Sequence, residues 1–421
     1  MKRTLIPARF SLVFSTFLLT LLLYVDRACI SAAKSDISND LGFSMTDFGW
    51  IMAIFTLGYA LFQTPAGKLA DKYGARGAIA SIVAIWSVLT AFTGAAWNYT
   101  SMLIIRFLFG AGEAGAFPAL SKVVYNWFPI GERGIVQGIN FSGSRLGAAF
   151  AMPLVAWMLN EIGWRQTFVV FGVFGILYGA LWYVFFRNKP ENSKYISSKE
   201  LKYIKENRQQ PSEEIKSSLP FSKLIQSTTM WKTMLQYICS NFTFYFSLTW
   251  MFPYIQERFD LGLVEAGFYT SIPLIGGAIG NWVSGFIVDA VYRKGNWKLS
   301  RRLPAIIGFL LSAIGMIMVT QVSSPVMSIA FMTMAVFGAD MTLSPSWAFC
   351  IDVGQEHAGV TSGTMNMAGN LGAFITIIAF PYFFEWTGSY EPFFITCAVL
   401  SLIAILVWFT MDPEKTIVNN N

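Results

Sequence analysis

Two adjacent charges, Asp26 and Arg27, interrupt an otherwise apolar run, LLLYVDRACI, at residues 21–30. Moving an ionised side chain from water into hydrocarbon costs a few kcal/mol or more, so such residues face a cavity or a partner and mark function by default. A second pair, Arg106 and Glu113, stands in another apolar run with Gly110 between them. At spacings i, i+4 and i+7 the three share one helix face, and Gly110 is expected to leave room between the charges. An arginine presents a planar fork suited to a carboxylate and keeps its charge when buried, whereas a buried acid can bind a proton reversibly. Anion anchor and proton carrier therefore come from different residue types. The alternative is that Asp26, Arg27, Arg106 and Glu113 neutralise one another between helices. Arg145 lies about 16 Å into a further apolar run, near a bilayer centre. It reads either as a second anion anchor or as the partner of an acid such as Asp340 or Glu113.

These residues need long helices to position them. The chain of 421 residues is 54% hydrophobic and 13% charged with 38 Phe, far too apolar for a soluble domain. Apolar runs of about 20 residues alternate with short polar turns, and no barrel-type alternation is present, so the spans are helical. Twelve are expected: 10–32, 46–67, 77–97, 100–128, 134–159 and 165–187, then 230–256, 263–290, 303–321, 325–350, 358–384 and 390–411. The fold class is an all-α membrane protein with two pseudo-symmetric six-helix halves, 1–187 and 230–421, joined by a charged cytoplasmic linker at 188–229. The halves echo each other. GKLADKYGAR (67–76) matches GFIVDAVYRKG (285–295), FGAGEAGAFPA (109–119) matches FGADMTLSPSWA (337–348), and INFSGSRLGAAF (139–150) matches TMNMAGNLGAF (364–374). Such duplication is expected to place a binding site near the membrane midplane at the repeat interface.

Lys and Arg fix the expected orientation. The N-terminus, Lys68, Lys72, Arg76, Lys122, Arg133, the linker, Arg293, Lys294, Lys298, Arg301 and Arg302 fall on one side, which is read as cytoplasmic; the opposite loops carry Asp36, Asp40, Asp47, Asp260, Glu265 and Glu391. A multi-pass protein of the cell (inner) membrane with both termini inside follows. The net charge of +6 is a topology signal and not a nucleic-acid surface. Lys2, Arg3 and Arg9 before an apolar run imitate a signal peptide, but the run is long and many spans follow it. Cys29, Cys239, Cys350 and Cys397 have no metal-type spacing and read as small packing residues.

The turn G-x-L-A-D-x-x-G-x-R at 67–76, in a duplicated twelve-span chain with a central linker, resembles the major facilitator superfamily of transporters. The resemblance covers nearly the whole chain. It implies that Gly67, Asp71 and Arg76 are gating residues, against the plainer reading of a structural turn. Tyr24-Val25-Asp26-Arg27, Arg106 with Glu113, and Trp127-Phe128-Pro129 ahead of Glu132-Arg133 are more narrowly similar to the anion:cation symporter branch, which includes carriers of hexuronate, glucarate and galactonate and of vesicular glutamate and sialic acid. The likeness implies that Asp26 and Glu113 take protons and that Arg27 faces the substrate beside Tyr24. Counting along the first span puts Asp26 nearer the outer mouth, where it is expected to pair with an arginine such as Arg106, leaving Glu113 as the deeper proton site.

Polar stripes complete the candidate site. Gln137, Asn140 and Ser144 share a face of the fifth span; Tyr237, Asn241 and Tyr245 do so on the seventh, and Ser362, Asn366 and Asn370 on the eleventh. Stripes of this kind suit sugar hydroxyls, or they hold membrane helices together. Tyr59 and Trp347 are aromatic candidates for a cavity wall. His357 in QEHAG is expected at the surface. No phosphate-cradling loop, zinc spacing or nucleophile elbow occurs, so no cofactor or metal, no ATP-driven pump and no enzyme is expected. The expected function is import of a small organic anion, with a sugar acid foremost, together with a proton by a monomer that rocks two halves in a lipid bilayer. The rivals are sodium coupling, a drug exporter of the same fold and a non-transporting sensor; three intramembrane arginines oppose the exporter.

Overall fold

The computed structural model describes residues 7–209, 221–261 and 263–417. The first half comprises α1 (Ala8–Ala32), α2 (Lys34–Leu41), α3 (Met45–Tyr73), α4 (Ala75–Thr93), α5 (Tyr99–Glu113), α6 (Ala116–Trp127) and α7 (Arg133–Phe185). The linker holds α8 (Ser198–Asn207) and α9 (Phe221–Gln226). There follow α10 (Thr228–Thr249), α11 (Met251–Phe259), α12 (Leu263–Arg293), α13 (Trp297–Gln321), α14 (Pro325–Met341), α15 (Leu343–Gly354), α16 (Ala358–Thr387) and α17 (Glu391–Thr410). Among the described residues eight helical stretches are long and apolar enough to cross a membrane. All twelve expected runs are helical, and no strand occurs among the described residues.

The departures from twelve plain rods have local causes. The fourth, seventh and tenth runs are each two helices, broken after Glu113, Thr249 and Met341. Pro118, Pro253 and Pro345 lie four residues beyond Ala114, Thr249 and Met341, and a proline has no N–H to give the carbonyl at i−4. One of these orphaned carbonyls is answered from outside its helix: the Ser284 hydroxyl donates to Met341 at 2.5 Å. The fifth and sixth runs form the single element α7, which turns at Gly163, where φ of +75° suits a residue without a Cβ. The expected outer loop at 34–41 is the short helix α2, ended by Gly42.

The linker is more structured than its composition suggests. Ser197 caps α8, and Glu200 accepts the backbone N–H groups of Ala8 and Arg9 at 2.9 and 3.0 Å. Helix α1 begins after Pro7 with no side-chain cap of its own, so Glu200 supplies the acceptor its first turn lacks.

The chain forms two compact units. One holds Met1–Pro129, Leu146–Leu219 and Gly354–Met367; the other holds Ile130–Arg145, Pro220–Val353 and Ala368–Asn421. The path therefore changes unit five times: after Pro129, within α7, after Leu219, at Gly354 where α15 ends, and within α16. The core of the first unit packs Val25, Cys29 and Ile30 of α1 against Ile51, Met102, Trp164 and Phe168. The core of the second packs Phe246, Met316, Met332, Phe380, Phe393 and Phe394. All four cysteines are free and buried, as packing residues should be.

Candidate functional site

In the first unit, α1 presents Arg27 to Glu113 at the end of α5. The Arg27 Nε and Nη2 atoms lie 2.7 and 2.6 Å from Glu113 Oε1. The guanidinium is walled by rings, 4.4 Å from Tyr59, 4.9 Å from Tyr24 and 5.2 Å from Phe55. Arginine is weakly hydrated and stacks on aromatic faces, so this wall suits it. Arg106 is fully buried against Phe55 and Phe109, at 4.9 and 4.7 Å, with its Nε unmatched.

Two details differ from expectation. Asp26 forms no ion pair among the described residues: it is 2% exposed and neither oxygen has a hydrogen-bond partner, although Trp86, Thr90, Arg106 and Glu113 are its polar surroundings. Adjacent helical residues point about 100° apart, so Arg27 and not Asp26 makes the contact with Glu113, a difference that depth along one helix does not register. The paired acid is Glu113, whose Oε2 is the atom left without a partner. Gly110, for its part, does not separate the charges. A Cβ there would run into the Phe55 carbonyl of α3, and one at Gly58 of α3 would run into the Phe107 carbonyl of α5. The two glycines let α3 and α5 cross closely, which places Phe55 and Tyr59 beside Arg27.

In the second unit, Arg145 is partnered by Asp340. Its Nε and Nη2 lie 3.1 and 2.8 Å from Asp340 Oδ2, the Phe244 ring is 4.2 Å away, and Ser247 Oγ is at 3.4 Å. Asn281 also donates to Asp340, at 3.3 Å. Trp347 donates its indole N–H to Tyr237 at 2.8 Å, and Phe141 packs against Trp347. Asn241 bonds back to the Tyr237 carbonyl of its own helix, while Tyr245 donates to Asn370 of α16 at 2.8 Å. The Trp347–Tyr237 and Tyr245–Asn370 contacts join helices. Asn366 is buried on α16, and Ser362 donates to Ala358 of the same helix. On α7 the Gln137, Asn140 and Ser144 side chains are buried, and Gln137 Nε2, both amide atoms of Asn140 and Ser144 Oγ lack partners among the described residues. Unmatched polar atoms on one buried stripe are where a ligand or water is looked for.

The turn at 67–76 splits its charges. Asp71 accepts the N–H groups of Gly359 and Val360 at 3.0 and 2.7 Å, capping the first turn of α16, with Lys122 at 3.8 Å. Gly67 lies against the Gly359 carbonyl. Arg76 turns away, donating to the Tyr183 carbonyl at 2.7 Å. The second half repeats the device: Asp289 accepts from Gly134 and Ile135 of α7 at 2.9 and 2.8 Å. Asp289 was not among the residues singled out from the sequence, although the echo of GKLADKYGAR in GFIVDAVYRKG aligns it with Asp71. Nothing comparable marked Arg133 and Arg301, which read as loop cations but are fully buried on Asp352, at 2.6 and 2.7 Å. His357 is likewise buried and not a surface residue, because its 3-10 turn packs beside Lys122, which donates to the Glu356 carbonyl.

Comparison with known proteins accords with this arrangement. The chain is 29% identical over 396 residues to SauU of Cupriavidus necator, named a probable sulfoacetate transporter, covering 94% of this chain and 91% of that one. It is 31% identical over 430 residues to GudP of Escherichia coli, named a probable galactarate/D-glucarate transporter, covering 97% and 94%. The structure of the proton:xylose symporter XylE superposes with a TM-score of 0.78 at 16% identity, covering 97% of each chain, and so shares the fold. The family model of the Major Facilitator Superfamily matches residues 16–377 and 298–421. Helix order, duplicated turns and family match agree: the chain is a multi-pass membrane transporter, not an enzyme, and belongs to the Major Facilitator Superfamily.

Proposed function

We propose that the protein imports a small organic anion, a sugar acid or a comparably small carboxylate or sulfonate, together with protons. The observation that carries the proposal is the cluster of Arg27 clamped on Glu113, with the unmatched carboxyl of Asp26 next to it in the chain. An anion approaching Arg27 competes with Glu113 for the same guanidinium. A proton on Glu113 weakens the internal pair and releases the fork, and Asp26 has both oxygens open to receive a second proton. Arg106 supplies a cation that forms no ion pair among the described residues. In the second unit Gln137, Asn140 and Ser144 offer unmatched donors and acceptors to hydroxyl groups, with Tyr237, Asn241, Tyr245, Trp347 and Asn370 as further candidate contacts; in the first unit the further candidates are Tyr24, Tyr59 and Asn366. Relatives named for galactarate, glucarate and sulfoacetate support an anionic cargo.

In the same reading the caps of Asp71 on Gly359 and Val360, and of Asp289 on Gly134 and Ile135, break and reform as access alternates, with Gly67 allowing the close approach and Arg76 anchoring the turn. The protein works as a monomer in the inner membrane with both termini in the cytoplasm. Uptake of labelled galactarate, glucarate, hexuronate, galactonate and sulfoacetate into proteoliposomes is the test. Accumulation driven by an imposed inward proton gradient, and collapsed by an uncoupler, is expected for at least one. Binding without accumulation, or accumulation that requires sodium and ignores the uncoupler, overturns the proton-symport reading.

A further inference from the structure

We infer that the outer face of α1 and the last turns of α7 form a binding site for one anionic phospholipid, its acyl chain between the helices and its phosphate at Arg187. The site is a groove of about 530 Å³. Phe14 and Leu18 of α1 and Leu181 and Phe185 of α7 wall it, and all four are exposed. Its deep end is closed where the Tyr178 hydroxyl donates to the Ser15 carbonyl at 2.7 Å, and its mouth lies by Ser193 and Tyr195 of the segment leading to α8. From Ala8 to Leu18 the helix rises about 15 Å. That is half of a hydrocarbon core roughly 30 Å thick, so the groove is one leaflet deep.

Lipid tails are as apolar as the groove walls, so no hydrophobic gain selects an occupant. Selection has to come from polar fittings, and the groove has two. Trp182 lines it, is 3% exposed, and its indole N–H meets no acceptor among the described residues. A buried donor without a partner is unfavourable, and a glycerol ester carbonyl at that depth would satisfy it. Arg187 lines the mouth, pinned through Nη1 to the Val184 and Phe186 carbonyls at 2.7 and 2.8 Å. Lys189 and Lys194 follow on the exposed segment, and none of these three cations forms an ion pair among the described residues. Arg9, at the same end of α1, is by contrast taken by Glu200 and stacked on Tyr203. A cationic mouth over an apolar groove matches a lipid whose headgroup is negative, and not a neutral one. Because the segment at the mouth leads to α8, whose Glu200 caps α1, lipid and linker act on the same helix end.

The inference is independent of the transported substrate. Its test is native mass spectrometry of the delipidated full chain titrated with an equimolar mixture of phosphatidylglycerol and phosphatidylcholine. The wild type is expected to retain phosphatidylglycerol preferentially. Arg187→Gln is expected to lower that preference about fivefold, the weight of one juxtamembrane cation. Trp182→Phe is expected to weaken retention of both lipids alike, since the ester carbonyl is common to them. Leu181→Trp, which fills the groove without touching a charge, is expected to abolish retention of the lipid and keeps the test open if Arg187→Gln fails to fold. Equal retention of the two lipids by the wild type, or an unchanged preference in Arg187→Gln, overturns the proposal.

Discussion

Replacing Asp26 with asparagine separates two roles that a buried carboxylate can have. The side chain is 2% exposed and accepts no hydrogen bond at either oxygen. If Asp26 serves as a neutral proton carrier, the amide swaps one O–H for two N–H groups in the same volume. The penalty is then one further unmatched donor, about 1 kcal/mol. If instead Asp26 is the fixed counter-charge of Arg106, the substitution leaves a buried guanidinium uncompensated, and the penalty is about 3–5 kcal/mol. For a body of 150–250 residues each kcal/mol moves the melting midpoint by roughly 2–4 °C, so the two cases are well separated. We expect Asp26→Asn to melt within a few degrees of the wild type in detergent. In proteoliposomes it should still exchange labelled substrate for unlabelled substrate, and it should no longer accumulate substrate under a proton gradient. Wild-type accumulation by Asp26→Asn would remove Asp26 from the coupling step, and a fall of ten degrees or more would make it a structural counter-ion.

Arg27→Ala should abolish anion binding measured by isothermal titration, and because it strands Glu113 it should also destabilise by about 3–5 kcal/mol; unchanged affinity would show that Arg27 only holds Glu113. Arg145→Met or Asp340→Leu alone should each destabilise by about 3–5 kcal/mol, whereas the double variant should recover most of the loss, since a buried pair replaced as a unit is often neutral. If the double variant melts normally and still transports, the pair is structural; if it melts normally and has lost transport, Arg145 acts on the anion. Gly110→Ala should destabilise by about 1–3 kcal/mol through the clash with the Phe55 carbonyl, and the melting midpoint should fall by several degrees.

The helical spans were legible because the length of an apolar run outweighs every other influence on whether a segment crosses a bilayer. Their breaks were not, since Pro118, Pro253 and Pro345 stand just past a break while Pro65, Pro273 and Pro304 sit inside continuous helices. The chemistry-bearing types were legible, because Asp26, Arg27, Arg106, Glu113, Arg145 and Asp340 are conspicuous in hydrocarbon. Partnership was not. Arg27 reaches Glu113 and Asp26 does not, a difference of one residue in azimuth that requires the rotation of α1 against α5, which residue spacing within one run does not record. Arg133 and Arg301 were masked by the positive-inside pattern, because a cation at a helix end satisfies topology whether or not it is buried on Asp352.

The pairing has a consequence for stoichiometry. In the first unit the buried or half-buried charges within the helices near the site are Arg27 and Arg106 against Asp26 and Glu113; in the second, Arg133, Arg145 and Arg301 stand against Asp289, Asp340 and Asp352. In the proton-free state, with every one of these carboxylates ionised, each set sums to zero before any cargo arrives. Adding an anion to a neutral, water-poor interior is costly unless its charge is met. The arginines cannot gain charge, so the only local way to meet it is to protonate one carboxylate per negative charge brought in. Two carboxylates in the first unit, Asp26 and Glu113, set a limit of two protons there. A monoanion should therefore be carried with one proton at electroneutrality, and a dianion such as an aldarate with two. Reversal potentials measured across a series of imposed pH gradients read the ratio directly. A proton count that stays the same for a monoanion and a dianion would show that coupling is fixed by a single carboxyl and not by charge balance.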